Sequence, residues 1–487
     1  MSCEARQFAE RDQQRQSGQE PASGGQRQRL AGRRIVVPGL ALVLLIGPSG
    51  SGKSTFARRH FRPTEVLSSD FFRALVSDDE ADQTASRDAF EVLHLVVEKR
   101  LRRGRLTVVD ATNTTAEARS RLLELAQRYH VPAVAIVFDL PLEAYLERDA
   151  RRPGRRVGQE VIVRQFRQLQ MNRRRIREEP FAHRYWLRSI EEIDQAVVER
   201  RPLRCDKRAW HGPLDIVGDV HGCFAELCDL LGVLGYRVER LMKASDEPGF
   251  RVYHPEGRRL VFIGDLVDRG PDSPSVLRLA MDAVGRGRAL CVLGNHDRKL
   301  LRYLEGQQVT VAHGLEKTLE QIASEPEPFR RRVLRFLQRL SSHYVLDSGR
   351  LVVAHAGLPQ EYHGRCSPTV RRVALFGVTT GQRDERGLPV RVNWALTYRG
   401  HALVVYGHTP VQEAIWINRT INIDTGCVFG NKLTALRYPE LELVSVPARA
   451  MYYPAPRSLL TPEDLQRPLL VPAADEMLPE EVAADGR

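Results

Sequence analysis

The chain has 487 residues, 28% of them charged and 42% hydrophobic, and carries a formal net charge of +12 to which arginine contributes most. This is an ordinary globular composition, long enough for two to four domains at roughly 100–200 residues each. Its longest apolar run, Leu40 to Ile46, is too short to cross a bilayer. The positive excess favours an anionic partner, nucleic acid first, against the plainer reading of a generally arginine-rich composition. The seven cysteines, Cys3, Cys205, Cys223, Cys228, Cys291, Cys366 and Cys427, form no C-x-x-C pair. That argues against zinc knuckles and a disulfide framework and fits a reducing cytosol. The N-terminus has no apolar signal-peptide core, so the expected location is cytoplasmic, with no membrane partner.

Residues 1–34 are rich in Gln, Arg and Gly and read as a disordered tail. From Leu40 the pattern alternates between strand and helix. Apolar strands are expected at 42–46, 106–109 and 133–138, separated by helices near 86–103, 116–129 and 142–150. Short continuous apolar runs between helices predict a parallel sheet covered on both faces. This first domain is placed at 35–178 and closes with a basic stretch, Arg148 to Arg177. Residues 179–212 read as a linker. A second α/β domain follows at 213–455, with strands at 214–217, 260–263, 289–293, 351–355, 403–407, 420–424 and 433–446, and a Pro-rich, acidic tail occupies 456–487.

The first strand runs into Gly47-Pro48-Ser49-Gly50-Ser51-Gly52-Lys53-Ser54-Thr55, a G-x-x-x-x-G-K-[ST] loop that opens a helix. The glycines Gly47, Gly50 and Gly52 let backbone N–H groups, including those of Ser49 and Ser51, turn inward around phosphate oxygens. Lys53 supplies a mobile positive charge, and Ser54 offers a hydroxyl to Mg²⁺, with Thr55 beside it. ATP with Mg²⁺ is the expected cofactor pair. Asp70, at the end of Val66-Leu67-Ser68-Ser69, is a candidate general base for an acceptor hydroxyl; capping the helix that follows is its other reading. Arg73, one turn on, is placed to fork onto the substrate's phosphate. Asp110-Ala111-Thr112-Asn113 ends the next strand, where its carboxylate and amide groups would face the cleft; capping the following helix is an equal reading for Thr112 or Asn113. Arg148 and Arg152 are four apart, hence on one helical face. They form either a lid over the phosphates or part of a solvated or RNA-binding basic face.

The second domain places a polar motif after each strand: Asp219-Val220-His221-Gly222, Gly264-Asp265-Leu266-Val267-Asp268-Arg269-Gly270, Gly294-Asn295-His296-Asp297, His355 and Gly407-His408-Thr409. Carboxylate, amide and imidazole groups at the carboxyl ends of strands converge on one crevice. A mixed oxygen and nitrogen set without thiolates suits Mn²⁺, Fe, Ni²⁺ or Zn²⁺. Two such ions bridged by one carboxylate, with Asp265 well placed, would activate water for attack on a phosphate ester.

These residues resemble the calcineurin-like binuclear metallophosphoesterases. The resemblance implies an α/β/β/α sandwich after a three-layer P-loop kinase domain. It implies one metal on Asp219, His221 and Asp265 and a second on Asp265, Asn295, His355 and His408, with Mn²⁺ the expected ion. It casts His296, oriented by Asp268, as the acid or phosphate-binding histidine, and Arg269 as a phosphate clamp. The combination with the kinase motifs resembles the bacterial polynucleotide kinase-phosphatases. That likeness implies Asp70 as base, Arg148 and Arg152 as lid arginines, and Asp424, in Asn422-Ile423-Asp424-Thr425-Gly426, at the phosphatase site.

The function so implied is healing of RNA ends, with DNA left open: phosphorylation of a 5′-OH, and removal of a 3′- or 2′-phosphate or opening of a 2′,3′-cyclic phosphate. Three-module members continue into a ligase; this sequence stops at Arg487 and has no K-x-[DN]-G motif. The expectation is therefore healing without sealing, with a ligase or an RNA methyltransferase chain as partner and oligomerisation left open. The rival keeps both chemistries and changes the substrates: a diadenosine tetraphosphate hydrolase or Ser/Thr protein phosphatase fused to a small-molecule kinase.

Overall fold

A computed structural model describes residues 33–151, 157–242, 248–383, 389–455 and 458–470. The first domain is built on a five-stranded sheet in the order Val66–Ser68, Thr107–Asp110, Leu42–Ile46, Ala133–Phe138, His183–Leu187, with all pairings parallel. Side chains along the strands alternate between two cores. Leu42, Leu44 and Ile46 pack with Leu93, Val97 and Leu101 of helix Ser86–Arg102, and with Leu169 and Ile176 of helix Gln159–Glu178. Val43 and Leu45 face Phe56 and Ala57 of helix Lys53–His60, and Tyr145 of helix Leu142–Ala150. Each strand is apolar on both faces because helices cover both, which gives the expected three layers.

The second domain pairs two sheets. One runs Ala289–Cys291, Arg259–Phe262, Leu214–Val217, Lys432–Tyr438, Glu442–Pro447. The other runs Trp416–Ile417, Thr420–Asn422, Leu403–Tyr406, Leu351–Ala354, His343–Leu346, Asp206–Lys207. Leu214, Ile216, Val261 and Ile263 of the first interdigitate with Leu351, Val353, Leu403 and Val405 of the second. The alternate residues Val217, Leu260 and Phe262 face outward beneath helices Phe224–Val233 and Ser273–Gly285. Val352, Ala354 and Val404 face helix Pro368–Phe376 on the far side. This is the α/β/β/α sandwich.

Three expected boundaries need correction. The stretch 179–212 is not a linker. His183–Leu187 adds the fifth strand of the first sheet, Val197–Arg201 pairs with Arg34–Pro38, and Asp206–Lys207 pairs with His343–Leu346. Its mixed polar sequence hides edge strands, which need only one apolar face. Within the expected tail, Leu460 and Leu465 are buried and Leu469–Leu470 pairs with Pro389–Val392. The segment 433–446 is two antiparallel strands that turn at 439–441. Residues 1–32, which make up most of the expected N-terminal tail, lie outside the described residues.

The domains touch through Arg365, whose guanidinium donates to the carbonyls of Leu101, Arg102 and Tyr129. Ser367 Oγ lies 2.9 Å from His130 Nδ1 in the same interface. Arg365 thereby satisfies carbonyls at the C-terminal ends of two first-domain helices, where they lack intrahelical partners. No helix among the described residues is long and apolar enough to cross a membrane.

Within the first domain, the fully buried Arg119 holds Glu179 through two bonds of 2.7 and 2.8 Å and also donates to Asn113 O at 2.8 Å. It ties helix Ala116–Arg128 to the end of helix Gln159–Glu178. Arg119→Ala would leave a nearly buried carboxylate without its cation, a loss of about 3–5 kcal/mol. Guanidinium unfolding followed by circular dichroism is expected to show an earlier first transition, while Arg174→Ala, which breaks an exposed pair, should leave it in place.

Candidate active sites

The loop after Leu42–Ile46 is shaped by its glycines. Gly50 and Gly52 have φ of +79° and +89°, and a Cβ on Gly50 would lie 2.6 Å from Tyr145 O. Only glycine accepts both demands without strain. Gly52 caps helix Lys53–His60, whose first N–H groups open into the loop. Lys53 Nζ donates to Gly47 O and Pro48 O at 2.8 Å and to Ser51 Oγ at 3.1 Å. It is thus held at the mouth of the cradle. The loop, including Ser49, Ser54 and Thr55, lines a cavity of about 770 Å³ together with Asp70, Asp110 and Arg148. The phosphate loop and the candidate base, about twenty residues apart in sequence, therefore share one cleft.

Arg148 lies over the loop: a Cβ on Gly52 would meet its guanidinium at 3.3 Å. Its Nη1 is buried with no hydrogen-bond partner among the described residues. A buried guanidinium N–H without an acceptor costs free energy, and phosphate oxygens in the loop would satisfy it. Helix Leu142–Ala150 ends two residues before Arg152, which lies outside the described residues. Asp70 occupies the first turn of helix Ser69–Ser77, whose N-cap is Ser68, accepting from Phe71 N. Capping therefore falls to Ser68 and leaves Asp70 facing the cleft. Arg73, expected to meet substrate, is instead buried, pairs with Asp70 and donates to Glu80 O at 2.9 Å. Asn113 donates to Leu45 O at 2.8 Å, joining neighbouring strands, and Thr115 caps helix Ala116–Arg128.

In the second domain the polar motifs meet. His221, Asp265 and His296 place ligand atoms within 4.8 Å of one another, and so do Asp265, His355 and His408. Both sets share Asp265. His355 Nε2 lies 3.3 Å and His221 Nε2 3.7 Å from Asp265 Oδ2. Asn295 Oδ1 is 2.8 Å from His355 Nε2 and 2.9 Å from His408 Nδ1. Asp219 accepts from His408 N at 3.1 Å, and its other oxygen is buried without a donor among the described residues. Two nitrogen and oxygen clusters joined by one carboxylate, with an orphaned carboxylate oxygen beside them, fit a pair of divalent cations. His296, cast above as an acid, falls in the first cluster where Asp219 was expected.

The supporting bonds orient these ligands. His221 Nδ1 donates to Val267 O at 2.8 Å and His355 Nδ1 to Ile263 O at 3.0 Å, so each turns its Nε2 toward Asp265. His296 Nδ1 lies 2.6 Å from Asp268 Oδ2, and Arg269 reaches His221 and His296 at 3.0 and 3.1 Å. Burial, with Arg269 adjacent, holds His221 and His296 well below the usual histidine range. Burial also raises Asp265, but His355, His296 and His221 outweigh it and hold the carboxyl well below its usual range. Burial pushes Asp268 up to about 7 and Asp424 to about 6, and burial with help from Asp424 and Asp265 holds Asp219 well above the usual carboxylate range. Crowded buried carboxylates of this kind favour their ionised forms once cations arrive.

Four further participants escaped the sequence reading. Asp297 is fully buried and accepts from Leu266 N and Gly294 N, locking two ligand loops together. Arg269 is stacked by Phe429 and Tyr453, 5.1 and 5.7 Å from the ring centres. The buried Arg391 donates to Thr409 Oγ1, next to His408. Only Asp297 had a local signal, the fourth residue of its own motif. Phe429 and Tyr453 lie over a hundred residues from Arg269, and Arg391 reaches Thr409 from 18 residues away across a loop with no motif of its own.

Residues 42–176 match the AAA domain family and residues 212–412 the calcineurin-like phosphoesterase family. The C-terminal part is similar to bis(5′-nucleosyl)-tetraphosphatase PrpE (asymmetrical) of Anoxybacillus flavithermus, at 46% identity over 242 residues, 49% of this chain and 95% of that protein. The Bacillus subtilis counterpart is 45% identical over 242 residues, 49% and 96% of the two chains. Among solved structures, a chain of the Pnkp1/Rnl/Hen1 RNA repair complex is 22% identical with a TM-score of 0.25, covering 31% of this chain and 49% of that one.

Asp265→Asn removes the negative charge of the shared ligand and one of its two donor oxygens with almost no change in size. Hydrolysis of p-nitrophenyl phosphate with added Mn²⁺ is expected to fall at least a hundredfold, about 3 kcal/mol, and metal content measured on the isolated protein should drop. ATP binding at the P-loop should not change.

Proposed function

The chain belongs to the calcineurin-like phosphoesterases through its second domain, and on that premise we propose that it heals nucleic-acid ends, RNA foremost, with its first domain phosphorylating 5′-OH termini. One observation carries this reading: a nucleotide-phosphate cradle with a carboxylate facing it and a two-cluster ligand site occupy one polypeptide. One chemistry adds phosphate and the other removes it. On a single small substrate they would cancel. On a strand with two different ends they cooperate, exposing a 3′-OH and creating a 5′-phosphate.

At the first site, ATP and Mg²⁺ are the cofactors this reading requires. Asp70, held by Arg73, would take the proton of the 5′-OH as the new O–P bond forms and the bond to the β-phosphate breaks. Lys53 and Arg148, with Arg152 as a second lid arginine, would balance charge on the transferred phosphoryl group. At the second site the divalent metals, with Mn²⁺ the expected pair, would supply Lewis acidity and an activated water. Asp219, His221, Asp265, Asn295, His355 and His408 would hold them. Arg269 would bind a phosphate oxygen, and Asp268 would keep His296 turned toward the leaving oxygen. Asp424, 3% exposed, would contribute to substrate placement.

The relatives named bis(5′-nucleosyl)-tetraphosphatases favour a second reading of this same centre, hydrolysis of dinucleoside polyphosphates. An RNA oligomer with 5′-OH and 2′,3′-cyclic phosphate ends, assayed beside diadenosine tetraphosphate, separates the two. End healing predicts ATP-dependent 5′-phosphate lost in Lys53→Ala alone, and 3′-end turnover lost in Asp265→Asn alone. Unchanged RNA ends with rapid tetraphosphate cleavage would establish the second reading.

A further inference from the structure

A cavity of about 1390 Å³ opens where the two domains meet, away from both sites. Its first-domain wall comprises the turns that lead into the strands. Gly39 and Leu40 precede Leu42–Ile46, Arg105 precedes Thr107–Asp110, and Arg128 precedes Ala133–Phe138. The P-loop, Asp70 and Asp110 lie at the carboxyl ends of the same sheet. A strand of five residues at about 3.3 Å each puts some 17 Å of sheet between them. An anion in this cavity is therefore not the phosphate that reacts. The opposite wall is second-domain chain, Asp206 to Arg208 and the loop Gln360–Arg365, which follows the ligand His355.

Arginine dominates the charge. Arg102, Arg103, Arg105 and Arg128 are exposed on this wall, and none makes an ion pair among the described residues. The carboxylates here are Asp206, already paired with Arg208, and Glu361. Four guanidinium groups without counter-ions across one cleft repel one another and attract an extended polyanion. The volume exceeds the roughly 300–1,000 Å³ of an ordinary small-ligand pocket.

We propose that this junction cleft binds the internal phosphodiester backbone of a single-stranded nucleic acid, a site separate from both reacting ends. This rests on the end-healing reading for its choice of polyanion. The cleft grips strand that has left the active sites, so it raises affinity for long substrates and leaves the chemistry of short ones untouched. Guanidinium forks pair with phosphate oxygens regardless of base, so binding is independent of sequence.

The test uses the full chain and a variant carrying Arg102→Ala, Arg103→Ala, Arg105→Ala and Arg128→Ala. Fluorescence anisotropy with a fluorescein-labelled 20-nucleotide oligo(U) across 50–300 mM salt is expected to show at least tenfold weaker binding at low salt. The slope of log K against log salt should be shallower by about 3, from about 0.7 per lost phosphate contact on a single strand. Phosphorylation of a nucleoside 3′-monophosphate and hydrolysis of p-nitrophenyl phosphate should match wild type. Equal oligo(U) affinity and slope in the variant would overturn the proposal. So would competition in which polyglutamate displaces the probe from the wild type at much lower concentration than unlabelled oligo(U), which would assign the cleft to an acidic protein. If the wild type binds oligo(U) through these arginines yet alters neither RNA end, the cleft stands and end healing falls. If the wild type heals ends and the variant heals and binds equally well, healing stands and the cleft falls.

Discussion

The second domain depends on one carboxylate shared between two histidine clusters. Asp265 must face both while its neighbours face inward as well, and the backbone bears the strain. His221, Asp265, Asp268, Arg269 and His408 all have positive φ, between 45° and 75°. For non-glycine residues each such conformation costs on the order of 1 kcal/mol or more. It persists because the surroundings over-determine it. Val220 N, His221 N and Gly222 N donate to the Asp265 and Leu266 carbonyls, and Asp297 clamps Leu266 to Gly294. Close backbone approach is part of the same constraint: a Cβ on Gly294 would strike Asp265 Oδ1 at 2.0 Å.

The first site solves a different problem with the same strand-end geometry. It offers backbone N–H groups and two long cationic side chains rather than a rigid cage of ligands. Lys53 satisfies itself on the loop's own oxygens, and Arg148 keeps a donor in reserve. The helix Gln159–Glu178 supports the loop directly, since Gln165 Oε1 accepts from Ser49 N at 2.8 Å. The basic stretch therefore has a structural task beside its charge, and Arg173 on the same helix is committed to Asp139.

Joining the domains has consequences for charge placement. Both catalytic crevices sit at carboxyl ends of strands, so the amino-terminal rim of the first sheet is free to form the junction with the second domain. Arg365 closes that junction by bonding carbonyls instead of carboxylates. The neighbouring arginines are left exposed, and the local field stays positive.

Much of this protein was legible from residue order alone. The P-loop, the five polar strand-end motifs and both α/β domains are local patterns: a short apolar run, then a polar group at the strand's end, with the strand's direction dictating where that group points. Tertiary structure decided what depends on pairs far apart in the chain. Arg73 turned from substrate to Asp70, the supposed linker became strands of both domains, and Phe429 and Tyr453 came to stack on Arg269. No local period encodes which surface an arginine or an edge strand will meet, because that is settled only when the chain has closed upon itself and burial has selected the partners.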